Sequence, residues 1–547
     1  MEKSILEKIR SGYKPKLPLA LQGNVKAVDG EPTSSVRDQQ IIKSLFPNTY
    51  GMPMVEFEPG EEPVQQAMNV GVILSGGQAP GGHNVISGLF DEIKRLNPDN
   101  RLFGFLLGPA GLVSHEYMEL TADIIEEYRN TGGFDIIGSG RTKLETEEQF
   151  EKGPQIINKL DIKALVIIGG DDSNTNAAVL AEYYKEHGDG IQVIGVPKTI
   201  DGDLKNDQIE TSFGFDTATK TYSELIGNIE RDCASAQKYW HFVKLMGRSA
   251  SHIPLECALQ THPSVCLISE EVQANDDSLN DIVDYIAGIV ANRAAHGMNY
   301  GVVLIPEGLI EFIPAIGRLI AELNDLLAEH GDEYKNLDKA DQRRYILEHL
   351  SKDNANTFET LPYDVARQLS LERDPHGNVQ VSSIETDKLI SRMVAAKLRL
   401  WKEEGKFKGH FHTQHHFFGY EGRCAIPSNF DADYCYSLGV SAAQLIANGK
   451  TGYMAVVKNT IAPTDQWKAG GVPITSMINM ERRNGQLKPV IKKALVDLNG
   501  RPYQEYKRHR DEWAEMTCFV YPGPIQYFGP EEVCDRPTIT LKLEHEA

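Results

Sequence analysis

Three segments of the sequence combine glycine with charge in a way suited to handling phosphate. The first, Ser75-Gly-Gly-Gln-Ala-Pro-Gly-Gly-His-Asn84, holds four glycines in a turn that opens a helical pattern. Missing Cβ atoms let backbone N–H groups approach an anion closely, and a helix N-terminus adds the positive end of a dipole. It is not a nucleotide P-loop, because His83-Asn84 stand where that motif requires Lys followed by Ser or Thr. A tight strand-to-helix connection would use the same glycines, so this loop alone carries little weight. The second segment, Ile168-Gly-Gly-Asp-Asp-Ser-Asn174, places Asp171 where its oxygens suit a hard cation such as Mg²⁺. Helix N-capping explains an Asp there equally well. The third, Gly195-Val-Pro-Lys-Thr-Ile-Asp-Gly-Asp203, adds a cation and two carboxylates. Lys198 is suited to neutralising a transferring phosphoryl group, and Asp201 to taking a proton from an attacking hydroxyl. A polar surface loop would also carry such charges, but three phosphate-suited segments in succession outweigh that reading.

Each of these segments follows a short apolar run. Val70-Gly-Val-Ile-Leu74, Leu102-Phe-Gly-Phe-Leu106, Lys163-Ala-Leu-Val-Ile-Ile168, Gln192-Val-Ile-Gly-Val196, Val265-Cys-Leu-Ile268, Gly301-Val-Val-Leu-Ile305 and Tyr453-Met-Ala-Val-Val457 all read as strands. Continuously apolar strands alternating with helical patterns, such as the stripe Val85, Ile86, Leu89, Phe90 and Ile93, predict parallel sheets covered on both faces. In such α/β sheets ligands bind beyond the carboxyl ends of the strands, where the three segments lie. The expected organisation is a proline-rich N-terminal extension (1–68) with a short helix near Ser4 to Arg10, and a first α/β domain (69–245). A second α/β domain (246–309 and 401–469) is interrupted by a charge-rich helical insertion (310–400), and a C-terminal extension (470–547) follows.

Composition narrows the function class. The chain has 547 residues with 56 Lys plus Arg against 77 Asp plus Glu, a net charge of −21 that argues against general nucleic-acid or anionic-membrane binding. No apolar run approaches the roughly 20 residues that span a bilayer, and the N-terminus has no apolar block of the kind a signal peptide needs, so a cytoplasmic protein is expected. The seven cysteines form no C-x-x-C pair and are expected to be reduced thiols packed as small hydrophobes.

With Met246-Gly-Arg248, Pro306-Glu-Gly308 and Tyr420-Glu-Gly-Arg423 added to the three segments, the chain resembles the phosphofructokinase family, specifically its long-chain pyrophosphate-dependent branch. The motifs extend from about residue 70 to 460 in the family's order. The resemblance implies two Rossmann-like three-layer α/β/α domains. It implies reversible transfer of a phosphoryl group from pyrophosphate to the 1-hydroxyl of fructose 6-phosphate, giving fructose 1,6-bisphosphate and phosphate. Carried over residue by residue, Gly77 lines the pyrophosphate site, Asp171 binds Mg²⁺ and Asp201 is the proton acceptor, with Thr199 and Ile200 beside it on the substrate. Met246, Gly247, Arg248 and Glu307 hold the sugar phosphate, as do Tyr420, Glu421, Gly422 and Arg423. Lys238 and Tyr239 fall where the family reaches across a subunit interface, which implies a homodimer with a shared substrate site.

Donor choice rests on Asp172 and Lys198, where ATP-using relatives generally carry glycine. A carboxylate at 172 would repel the α-phosphate of a nucleotide, and Lys198 would compensate charge on pyrophosphate. An ATP-dependent enzyme and a non-catalytic regulatory subunit are the alternatives. Retention of Asp171, Lys198, Asp201 and Arg248 speaks against the second. The cluster His410, His412, His415 and His416 has the composition of a metal site, but a structural or substrate-adjacent role is preferred, and Glu270-Glu271 is taken as local polar structure.

Overall fold

The structure is a computed structural model that describes residues 2–61, 66–144, 147–371, 384–483 and 486–546. Positions 372–383 of the expected insertion and 62–65 of the N-terminal extension lie outside the described residues. In chain order the strands are β1 (Val25–Pro32), β2 (Pro53–Pro59), β3 (Asn69–Leu74), β4 (Arg101–Phe105), β5 (Tyr117–Glu119), β6 (Ile162–Gly169) and β7 (Gln192–Pro197). They continue as β8 (Tyr239–Leu245), β9 (Val265–Cys266), β10 (Tyr300–Pro306), β11 (Thr413–Phe418), β12 (Tyr453–Lys458), β13 (Lys468–Pro473), β14 (Ile478–Arg483) and β15 (Gln486–Ile491). Among the described residues, one sheet has the order β1-β2-β13-β12-β7-β6-β3-β4-β5, a second has β11-β8-β10-β9, and β14-β15 form a hairpin.

The centre of the large sheet, β12-β7-β6-β3-β4, is parallel, and so is the whole of the small one. Parallel strands covered on both faces need apolar residues at successive positions, which is why β10 is buried along its full length. Alternate residues feed different cores. Val70, Val72 and Leu74 of β3, Val243 and Leu245 of β8 and Val302 and Leu304 of β10 share one cluster with Leu89 of helix Gly82–Leu96, Ile226 of Phe215–Ala236 and Leu438 of Asn429–Ala447. This cluster joins the two sheets. Ile73, Leu165 and Ile167 face the other way, against Leu180 and Tyr184 of helix Asp171–His187.

Between β10 and β11 the described residues include helices Pro314–Lys335, Lys339–His349, Lys352–Thr360, Tyr363–Leu369 and Thr386–Glu403. They share a core with the small sheet: Leu319, Leu323 and Leu389 pack in one cluster with Trp240, Phe242, Val303 and Ile305. Several assignments made from sequence change. Residues 239–245, placed at the end of the first unit, form β8 in the small sheet beside β10 and β11, and residues 468–473, divided between the second unit and the C-terminal extension, form β13 in the large sheet. Residues 453–458, grouped with the second unit, form β12 and pair with β7 in the large sheet, since a run buried at five successive positions needs neighbours on both sides. The N-terminal extension adds β1 and β2 to the same sheet through β13, and its prolines Pro53 and Pro59 sit at the ends of β2, where a missing N–H is tolerated. The short helix expected near Ser4 to Arg10 is Ile5–Arg10, and Ser4 caps it.

Candidate active site

Strand register brings the phosphate-suited segments side by side. Leu74 lies opposite Ile168, and Ile168 opposite Val196, so β3, β6 and β7 end level. Ser75 N donates to Ile168 O at 2.8 Å and Lys198 N to Gly169 O at 2.9 Å, which fixes the start of each loop. In the small sheet Leu245 is opposite both Pro306 and Phe418. Met246 N donates to Phe418 O and Glu307 N to Leu245 O, both at 2.9 Å.

The two sets of carboxyl ends open on a cavity of about 370 Å³. The large sheet supplies Gly77, Asp171, Asp172, Lys198, Thr199, Ile200 and Asp201 to its lining, and the small sheet supplies Met246, Arg248, Glu307, Tyr420 and Arg423. The other expected site residues stand outside that lining. Gly247 lies behind it, donating its N–H to Glu307 Oε2 at 3.0 Å. Glu421 Oε2 accepts from Gly419 N at 3.0 Å. Gly422 lies against Tyr222, whose hydroxyl donates to Gly419 O at 2.6 Å. Glu421, Gly422 and Tyr222 shape the Tyr420–Arg423 turn. Lys238 and Tyr239 stand at the amino end of β8, about 20 Å from Met246 by the rise of a strand.

Gly76 has φ +87°, and a Cβ there would come 3.1 Å from Lys198 Nζ. At Gly77 an added Cβ would meet the guanidinium groups of Arg141 and Arg423 at 3.5 Å, so the glycine loop passes between two cations. Arg423 also donates to Gln78 Oε1 and has Tyr420 beneath it at 5.2 Å.

Lys198 is only 6% exposed. Burial, reinforced by the nearby Arg141, pulls its ammonium down to about 8, while Asp201 opposes the shift and Arg423 adds to it. Burial likewise pushes Asp203 up to about 7, with Lys493 opposing and Asp201 and Asp171 adding to the rise. Glu307 is raised by burial, in part offset by the Gly247 N–H. Asp201 acts electrostatically on both Lys198 and Glu307, so it is near the two ends of the cavity.

Helix Asp171–His187 begins at Asp171 and has Gly170 as its N-cap with no side-chain cap bond, so the carboxylate does not serve as a cap and lines the cavity instead. Among the described residues no group of three His, Cys, Asp or Glu is disposed to hold a metal alone. A divalent ion that keeps several waters and takes phosphate oxygens needs only one or two protein carboxylates, and Asp171 with Asp201 and Asp203 nearby fits that demand.

Two histidines of the cluster have side-chain partners: His415 Nδ1 is 3.0 Å from Asp387 Oδ2, and His416 Nε2 is 2.9 Å from His241 Nδ1. Glu270 accepts from Ser251 N and Val496 N, while Glu271 pairs with Arg510 at 2.7 Å. Five of the cysteines are buried thiols, but Cys424, beside Arg423, is exposed and Cys518 only partly buried.

Sequence reasoning missed Arg141, Gln78, Asp203, Ser249 and Lys493 as lining residues. Gln78 and Asp203 were inside the quoted motifs, and Gly138-Ser-Gly-Arg141 carried a glycine signal: Gly76 N donates to Gly140 O at 2.8 Å. Nothing in the local pattern marked Lys493.

The phosphofructokinase family model matches residues 69–361. The chain is 65% identical to a pyrophosphate–fructose 6-phosphate 1-phosphotransferase of Porphyromonas gingivalis, over 100% of this chain and 99% of that one. To the enzyme of the same name from Treponema pallidum it is 54% identical, over 100% and 98%. A solved pyrophosphate-dependent phosphofructokinase from Nitrosospira multiformis superposes with a TM-score of 0.52 at 17% identity, covering 75% of this chain and 84% of that one, and shares the fold. Fold, motif order and full-length similarity agree, and the chain belongs to the phosphofructokinase family.

Proposed function

We propose that this chain transfers a phosphoryl group reversibly from pyrophosphate to the 1-hydroxyl of fructose 6-phosphate. The observation that carries the reading is the cavity itself, whose donor-suited residues come from one sheet and acceptor-suited residues from the other, with Asp201 near both. The names of the full-length relatives support the same reaction.

Phosphoryl transfer depends on positioning and on neutralising the equatorial oxygens more than on covalent chemistry by the protein. At the donor end Gly77 brings backbone close to pyrophosphate, and Lys198, held charged below about pH 8, faces the phosphoryl oxygens without a water shell to displace. Asp201 takes the proton of the 1-hydroxyl. Thr199 Oγ1 accepts from Asp201 N at 3.0 Å, which fixes the loop, and Ile200 closes it against the core. At the acceptor end Arg248 and Arg423 match the 6-phosphate, since a planar guanidinium binds phosphate oxygens in pairs. Glu307, Met246 and the Tyr420–Arg423 turn orient the sugar. Asp171 would hold Mg²⁺, which supplies charge neutralisation of the diphosphate when bound. Asp172 disfavours ATP by repelling its α-phosphate.

Lys238 and Tyr239, remote from this chain's own cavity, serve the 6-phosphate of a second copy, so the working form is a homodimer in the cytoplasm. Among the described residues no helix is long and apolar enough to cross a membrane. Phosphorus NMR of the purified chain with Mg²⁺, pyrophosphate and fructose 6-phosphate tests the reaction. Stoichiometric orthophosphate and a new sugar 1-phosphate resonance are expected, and hydrolysis of pyrophosphate without sugar phosphorylation would refute it.

A further inference from the structure

Two cations that line the cavity, Arg141 and Lys493, have no role in the reaction proposed for it. Lys493 comes from the stretch after β15, far in sequence from the other lining residues. Its Nζ lies 3.5 Å from Asp171 Oδ2 and 3.9 Å from Asp203 Oδ2, and donates to Ser249 Oγ at 2.6 Å. The side chain is 24% exposed.

The backbone that carries Lys493 is anchored to both halves of the molecule. Towards the large sheet, Ile491 N donates to Thr175 Oγ1 at 3.0 Å and Ala494 N to Asp203 O at 2.7 Å. Towards the small sheet, Ala494 O is 2.9 Å from His252 Nε2 and Val496 N donates to Glu270 Oε1 at 3.0 Å. A segment tied on both sides sets the position of this lysine far more tightly than a surface loop would. The charge of the wall it occupies explains why that matters. Asp171, Asp172 and Asp201 would by themselves present like charge to an anionic donor, which disfavours its entry.

We propose that Lys493 is a diphosphate-binding residue, delivered to the donor end of the cavity by the C-terminal segment. With the cavity empty its ammonium pairs with Asp171. When the donor enters, its flexible stem turns the ammonium onto a phosphate oxygen and leaves the Asp171 carboxylate to the metal. The inference rests on pyrophosphate being the donor.

The test is calorimetric binding to the full chain and to its Lys493→Met and Lys493→Arg variants, using Mg²⁺ alone, Mg²⁺ with imidodiphosphate, and fructose 6-phosphate. Lys493→Met is expected to bind magnesium imidodiphosphate about tenfold or more weakly, the worth of a charge-assisted contact. It is expected to bind Mg²⁺ alone more tightly, because Asp171 loses a competing cation, with fructose 6-phosphate binding unchanged. Lys493→Arg should recover most of the diphosphate affinity. Opposite signs for metal and diphosphate are not produced by a merely structural lysine. Unchanged imidodiphosphate binding in Lys493→Met, or equal weakening of all three ligands together with a lower unfolding temperature in both variants, overturns the proposal. Failure of the unsubstituted chain to bind magnesium imidodiphosphate while it binds fructose 6-phosphate overturns the donor reading instead.

Discussion

Lys198→Met separates function from stability at the donor end. The ammonium is 6% exposed, so no solvent takes its place when it is removed, although Arg141 and Arg423 remain nearby. Loss of one preorganised, desolvated cation aimed at developing charge costs about 10²–10³-fold in kcat. The free protein should respond in the opposite sense. Burial lowers this ammonium from 10.5 to about 8, so keeping it charged in the folded state costs on the order of 3 kcal/mol. A base whose folded value is depressed carries that cost in full below about pH 8, and the cost fades as pH rises towards the unfolded value. At neutral pH Lys198→Met should therefore raise the unfolding temperature while activity collapses, an instance of a site that costs stability. The ionisation itself is read from kcat/KM for pyrophosphate against pH. With Lys198 the profile falls about tenfold per unit above about pH 8, whereas Lys198→Arg moves that limb upward because a guanidinium stays charged. Substrate ionisation is common to both proteins and cancels in the comparison. An alkaline limb at the same pH in Lys198→Arg, together with a less stable Lys198→Met, would refute the reasoning.

Three further outcomes follow from the same geometry. Asp201→Asn should lower kcat by about 10²–10⁴-fold, the range for a lost general base, with fructose 6-phosphate binding measured by calorimetry left within a fewfold. Arg248→Ala should raise KM for fructose 6-phosphate by about tenfold to a hundredfold, with a much smaller change in KM for pyrophosphate, as expected from loss of a charge-assisted phosphate contact. Mixing Lys238→Ala with Asp201→Asn, each nearly inactive alone, should restore activity after subunit exchange, because one site of the mixed dimer is intact. No recovery in dimers shown by mass spectrometry to be mixed would place Lys238 outside a shared site.

Much of this architecture was legible where burial is two-sided. β3, β6, β7, β10 and β12 are apolar at successive positions because helices cover both faces, and such runs stand out in a sequence. β8 and β11 escaped because His241, Lys244, His415 and His416 interrupt them, polar residues that find partners only once the small sheet and helix Thr386–Glu403 are assembled. β1 and β2 hid among prolines for a similar reason: their place at the side of the sheet depends on β13, more than 400 residues away in the chain from β2. The site divides along the same line. Residues directly after apolar strands, such as Asp171, Lys198 and Glu307, carry a local signal, since strand ends are where ligands bind in this kind of sheet. Lys493 reaches the cavity only because Ile491 and Ala494 bond to Thr175 and Asp203, long-range contacts that no spacing rule encodes.

The donor assignment is the central claim. Initial rates of fructose 6-phosphate phosphorylation by the purified chain with Mg²⁺ compare pyrophosphate and ATP as sole donors, in the unsubstituted protein and in Asp172→Gly/Lys198→Gly. Turnover with pyrophosphate and little with ATP is expected in the unsubstituted chain, with a relative gain for ATP in the double variant. Efficient turnover with ATP in the unsubstituted chain would contradict that assignment.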